Sequence, residues 1–136
     1  MRRLLLAFAS IALVGCGGSD STGPAASAEG TWNLSTINGA GLPFTLSSNP
    51  STGDKLEILD DQYVLNAGGT YTEAFTTRLT QGGQVTTTPD TDTGTWSQTG
   101  NQVAITSSAG DAFTATVSTN TITIGSQFGA VVYVRQ

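Results

Sequence analysis

In 136 residues the chain carries ten acidic and five basic side chains, for a formal charge of −5, with one cysteine and no histidine. The missing histidine excludes histidine-ligated metal sites, Ser-His-Asp and Cys-His nucleophile systems, and the usual general base near neutral pH. The acidic balance excludes a basic nucleic-acid footprint, and a single cysteine leaves no internal disulfide, so stability rests on the core.

Met1-Arg2-Arg3 opens the chain with positive charge, and Leu4 to Val14 is apolar apart from Ser10. As a helix that run would extend about 16 Å, roughly half of the ~30 Å hydrocarbon core, so it reads as a secretory signal that is removed. It ends in Leu13-Val14-Gly15-Cys16. These residues resemble the lipobox of bacterial lipoprotein precursors. The resemblance implies cleavage before Cys16, a diacylglyceryl group on its sulfur and, in many bacteria, a further acyl chain on its amine. Two or more acyl chains anchor a protein stably, so the membrane is the expected partner through Cys16. Gly17 stands where an Asp would, by resemblance to enterobacterial lipoproteins, favour the inner membrane. The outer membrane is therefore the expected address within the cell envelope.

Cleavage leaves 121 residues, ten of them acidic and three basic, enough for one domain and expected to be monomeric. Residues 16–29 are small and polar after the cysteine, and read as a flexible tether whose reach is roughly 20 Å. From Gly30 to Gln136 the texture is that of an all-β domain. Threonine, valine and isoleucine dominate, turn residues recur at short intervals, and no window shows a helical stripe.

Trp32 and Leu34 alternate with polar neighbours in a first strand ending near Ile37, and Asn38-Gly39 is a turn. Residues 40–53 hold two prolines and allow only a short edge strand around Leu42 to Leu46. Leu56 and Ile58 mark a strand, Asp60-Asp61 a break, and Tyr63 and Leu65 a further strand. Thr70 to Thr80 is expected as the longest strand, with Tyr71, Glu73, Phe75 and Leu79 on one face and Arg78 on the other. Gln81-Gly82-Gly83 turns it into Gln84–Thr88, and Pro89-Asp90-Thr91-Asp92 reads as a loop. Thr95–Gln98, Gln102–Thr106, Ala112–Ser118, Thr121–Ile124 and Val131–Arg135 complete nine to ten strands. A meander of that many strands closes on itself or folds over to hide its edges. The expected fold is a small antiparallel up-and-down barrel, with a flattened two-sheet sandwich as the alternative.

Gly30-Thr31-Trp32, Gly69-Thr70-Tyr71 and Gly94-Thr95-Trp96 repeat one pattern at strand starts, with glycine for entry, threonine outward and the ring in the core. Gly30-Thr31-Trp32 resembles the Gly-x-Trp start of the lipocalin and fatty-acid-binding protein superfamily. Residues 30–136 resemble the short lipocalin-like domains of bacterial lipoproteins. That resemblance implies a barrel-closing pair in which Arg135 packs over Trp32, and an interior able to take a small apolar ligand. The chain departs from typical lipocalins in its shorter length and in having no disulfide or flanking helix.

The candidate ligand-binding set is Glu73, Tyr71, Phe75, Trp96 and Phe113. Glu73 is central because strict alternation points it inward, where a carboxylate needs a partner or a raised pKa; Arg135 is one candidate partner. No cofactor or metal is expected. Asp90-Thr91-Asp92-Thr93-Gly94 echoes the start of a calcium loop but lacks the later ligands. Adjacent Asp60 and Asp61 face opposite ways, which does not suit paired-carboxylate catalysis. The expectation is a non-enzymatic protein with two readings, either a ligand-binding lipocalin-like module or an envelope interaction module. The second would have a packed core and an exposed apolar patch in residues 38–53.

Overall fold

The structure, a computed structural model, describes residues 25–136. The signal segment, the lipobox with Cys16 and most of the expected tether lie outside the described residues.

Among the described residues nine strands form one antiparallel sheet: β1 (Gly30–Ile37), β2 (Phe44–Asn49), β3 (Asp54–Leu65), β4 (Thr70–Gln81), β5 (Gln84–Thr99), β6 (Gln102–Ser107), β7 (Ala112–Val117), β8 (Thr121–Ser126) and β9 (Gly129–Arg135). The order is β1-β9-β8-β7-β6-β5-β4-β3-β2, and β1 also pairs with β3. That last pairing, Gly30↔Leu65 to Asn33↔Gln62, closes β1 and β3–β9 into an eight-stranded up-and-down barrel. The closed barrel, rather than the sandwich, is the fold. β2 stands outside the ring, on the β3 edge that β1 has left, pairing Phe44↔Ile58 to Asn49↔Asp54.

Three features differ from the pattern expected along the chain. Asp60-Asp61 does not break the strand. β3 runs through it with a bulge between Ile58 and Asp60, leaving Leu59 without a partner on β4. One inserted residue reverses the alternation, so Leu56 and Ile58 share a face with Asp61, Tyr63 and Leu65. A second bulge between Leu34 and Thr36 does the same in β1, turning Ile37 inward after Trp32 and Leu34. Finally, Pro89–Asp92 is no loop. It lies in the middle of β5, which at 16 residues exceeds the 12 of β4 and is the longest strand.

The core is built from the inward positions, among them Trp32, Leu65, Tyr71 and Val103, each less than 2% exposed. One barrel end is sealed. Residues 26–29, the last of the stretch expected as tether, lie against that end. There the Ala28 amide donates to Gln98 Oε1 and Gln98 Nε2 donates to the Ala26 carbonyl. Trp32 Nε1 donates to the Ala28 carbonyl at 2.8 Å, and Ala28 is fully buried. The Arg135 guanidinium lies 4.1 Å from the Trp32 ring centroid and donates to the carbonyls of Glu29 and Ser27. Gly30 is what lets it in, since a Cβ there would stand 2.6 Å from an Arg135 nitrogen.

Toward the other end the wall opens. β5 pairs with β6 only from Gly94↔Ser107 to Thr99↔Gln102, while β4 and β5 stay paired out to Gln81↔Gln84. The ends of β2–β5 therefore project past the ring as a hood. Its outer face carries Glu57, 5% exposed, between Lys55 Nζ at 2.9 Å and Arg78 Nε at 2.8 Å. On the inner side, Phe44 meets Phe128 of the β8–β9 turn edge to face, with ring centroids 6.2 Å apart.

Candidate functional site

The inward faces of β3, β4 and β5 meet in register rows. Leu65, Tyr71 and Gly94 form one row, Tyr63, Glu73 and Asp92 the next, and Asp61, Phe75 and Asp90 the third. Alternation delivers Tyr71, Glu73 and Phe75 from β4. The β3 bulge delivers Asp61 beside Tyr63, and the unbroken β5 delivers Asp92. The outcome is a mixed cluster of carboxylates and phenols around the barrel axis.

Three tyrosines occupy its centre. Tyr63 packs at 5.6 Å from Tyr71 and edge to face at 5.3 Å from Tyr133. Two of their hydroxyls are held by acids. Tyr133 donates to Asp61 Oδ2 at 2.6 Å, Tyr71 donates to Asp92 Oδ2 at 2.6 Å, and Ser107 Oγ donates to Asp92 Oδ1 at 3.1 Å. Burial and the neighbouring carboxylates keep all three phenols protonated far above the ordinary tyrosine range.

The carboxylates divide into two kinds. Asp92 is held below its ordinary pKa, chiefly by the Tyr71 hydrogen bond. Asp61 is pushed up to about 6, first by burial, with Asp60's charge adding to it. Glu73 is pushed up to about 7, first by burial and then by the charge of Asp61. Asp61 Oδ1 is buried and accepts no hydrogen bond. No cation answers these acids among the described residues, whose only three cations stand elsewhere. Lys55 and Arg78 sit on Glu57, and Arg135 sits on Trp32 at the sealed end. Arg135 is thus not the partner of Glu73.

Gly94 makes the arrangement possible, but not as the strand-start glycine expected, since it lies well inside β5. A Cβ there would stand 2.1 Å from the Thr106 carbonyl oxygen and 2.7 Å from the Tyr71 ring. The bare backbone is the bed on which Tyr71 lies while reaching Asp92. Gly94→Ala should therefore cost about 2–3 kcal/mol, the upper part of the range for overpacking. Urea unfolding checks this; an unchanged midpoint would mean that Tyr71 can move aside freely.

Two open grooves reach this cluster from outside. One, of about 480 Å³, lies where β1 and β3 part and is lined by Asn33, Leu34, Asp60, Asp61, Gln62, Ala74 and Gln136. The other, of about 500 Å³, surrounds Gly94, where β5 and β6 part, and reaches Tyr71 between threonine and serine hydroxyls.

A protein-family model described as a lipocalin-like domain matches residues 29–125. The chain belongs to this lipocalin-like family. No curated protein matches it.

Within this lipocalin-like barrel the expected ligand set divides. Tyr71 and Glu73 stand together, with Phe75 next along β4. Trp96 and Phe113 lie on a separate row, each opposite Ile105, and the Trp96 indole is tied to the carbonyls of Asn66 and Thr70 near the sealed end. Asp61, Asp92, Tyr63 and Tyr133 were not among the expected site residues. Asp61 shares odd parity with Tyr63 and Leu65, and Asp92 shares even parity with Gly94 and Trp96, a signal hidden once both segments are taken as non-strand.

Proposed function

We propose that this is a membrane-anchored envelope protein, tethered through lipid on Cys16, whose lipocalin-like domain binds a small ligand without catalysing a reaction. The ligand has an apolar body and a cationic or hydrogen-donating head, taken up at Asp61. The observation that carries this reading is Asp61, a carboxylate that lines an open groove, has no cation beside it and keeps one buried oxygen, Oδ1, out of every hydrogen bond of the fold. Lipocalin-like folds carry ligand sites at the mouths of their barrels, and membership of that family supports a site here. The acid-lined interior disfavours a fatty acid, whose carboxylate would meet Asp61, Glu73 and Asp92 with no nearby cation.

Isothermal titration of the full chain carrying Cys16→Ser, which bears no lipid, distinguishes the head groups. An alkylammonium should bind, the alkanoate of the same chain length should not, and Asp61→Asn should weaken the alkylammonium by about tenfold or more, the loss of one charge-assisted contact. Equal binding of both amphiphiles, or indifference to Asp61→Asn, would overturn the reading.

The packed tyrosine centre favours the second reading, an interaction module with a filled barrel. Against it, Leu42 and Phe44 are half-buried and pack on the core rather than forming an exposed patch in residues 38–53.

A further inference from the structure

β5 has a free edge. It pairs with β4 along its whole length but with β6 only from Gly94 onward, so residues 84–93 have a neighbour on one side alone. The direction of each backbone group follows from two hydrogen bonds. Trp96 N donates to the Gly69 carbonyl, on the β4 side, while the Thr93 carbonyl accepts from Ser108 N, on the opposite side. In an antiparallel ladder the N–H and C=O of one residue point the same way and successive residues alternate. Even-numbered residues of β5 therefore face β4, and Val85, Thr87, residue 89 and Thr91 face outward.

Two of those four outward donors are absent or occupied. Residue 89 is proline and has no N–H, and Thr91 N donates at 2.8 Å to the side chain of Asp90. Proline here costs the barrel nothing, because its nitrogen points away from the β4 ladder. The rest of the edge has no such protection. Gln84-Val85-Thr86-Thr87-Thr88 is uncharged, exposed and β-prone, with Val85 61% exposed, which is the composition that recruits another strand.

We infer that Pro89 and Asp90 keep this edge from pairing with a second copy of the chain. Without them, Val85, Thr87, residue 89 and Thr91 form an unbroken row of donors and acceptors. That row matches itself when two copies meet antiparallel, Val85 opposite Thr91 and Thr87 opposite residue 89. With proline at 89 and the Thr91 amide satisfied locally, half the donors of that pairing are gone, and each approaching carbonyl would be desolvated without a partner.

The test compares the full chain carrying Cys16→Ser with the same chain carrying Pro89→Thr and Asp90→Asn, by sedimentation over a range of concentrations. The unaltered edge should sediment as a monomer. The double variant, with an unchanged far-UV spectrum, should reach twice that mass as concentration rises. Adding Thr87→Lys, a charge on the self-pairing strand, should return it to the monomer. A double variant that stays monomeric, a dimer that Thr87→Lys leaves intact, or a dimer already present with Pro89 and Asp90 in place would each overturn the inference. A variant that loses its β spectrum would also overturn it, because a proline facing away from the ladder is not needed to fold β5.

Discussion

Trp32→Ala is expected to lower the stability of the domain by about 4–6 kcal/mol, a large share of the 5–15 kcal/mol typical of a domain. Removing a fully buried tryptophan costs about 3–5 kcal/mol through lost transfer energy and the cavity left behind. The Arg135 guanidinium over the ring adds about 0.5–2 kcal/mol that goes with it. The Ala28 carbonyl also loses the indole donor in a buried setting. Trp32 lies where β1 is paired on both sides, with Tyr63 and with Arg135, so the cavity would open at the seam that closes the ring. At roughly 4–8 °C per kcal/mol, the melting temperature should fall by on the order of 20 °C or more. Trp32→Phe, which keeps much of the packing but loses the N–H, should cost about half as much. A Trp32→Ala variant melting within a few degrees of the parent would show that the backbone pairing of β1 with β3 and β9 holds the seam without the indole.

The second large effect is a dependence on pH with an unusual sign. Asp61 and Glu73 have folded-state pKa values of about 6 and about 7, against ordinary values of 3.8 and 4.5. Between about pH 4 and 7 the folded protein thus holds protons that the unfolded chain has released. Stability is fully present below the unfolded values and is lost as pH rises through the folded ones. At about 1.4 kcal/mol per unit, with Glu73 discounted because it is only half-buried, the pair should lower stability by about 3 kcal/mol between pH 4.5 and pH 8. Asp61→Asn or Glu73→Gln should raise the urea midpoint at pH 8 and flatten this slope, while leaving the midpoint near pH 4.5 almost unchanged. A wild-type midpoint that rises from pH 5 to pH 8 would contradict the buried placement of both groups.

The barrel itself was legible because alternation of Trp32 with Leu34, and of Tyr71 with Glu73 and Phe75, states which face is buried, and because glycine-rich turns divide the strands. Placement of Glu73 on the inner face followed from alternation alone. The parts that were missed trace to two segments, Asp60-Asp61 and Pro89–Asp92, that do not break their strands here. Leu56 and Ile58 are even while Tyr63 and Leu65 are odd. A break at Asp60-Asp61 accounts for that change, but a bulge at Leu59 does too, and it keeps the ladder to β4 intact. Pro89 signals a loop when its N–H is needed, yet on an edge strand half the amides need no partner. Both misreadings conceal a carboxylate, Asp61 in the first case and Asp92 in the second. The site therefore looked like a lone glutamate among aromatics when it is a set of three acids braced by tyrosines. The remaining gap is one of distance along the chain. Nothing local to Tyr133 or Asp61 announces that they will meet, 72 residues apart, within hydrogen-bonding reach.

The strap at the sealed end has a mechanical consequence. Tension applied through the N-terminal residues enters the barrel at Ala26–Glu29, where five hydrogen bonds from Ala28, Trp32, Gln98 and Arg135 take the first load. Once these yield, force passes along the axis of β1, whose first four residues are laddered to β3 on one side while the strand is laddered to β9 on the other. A strand pulled along its own length between two neighbours is loaded in shear, so its backbone bonds must rupture together rather than peel one at a time. The end of the barrel that receives the pull is thus the end built to resist it.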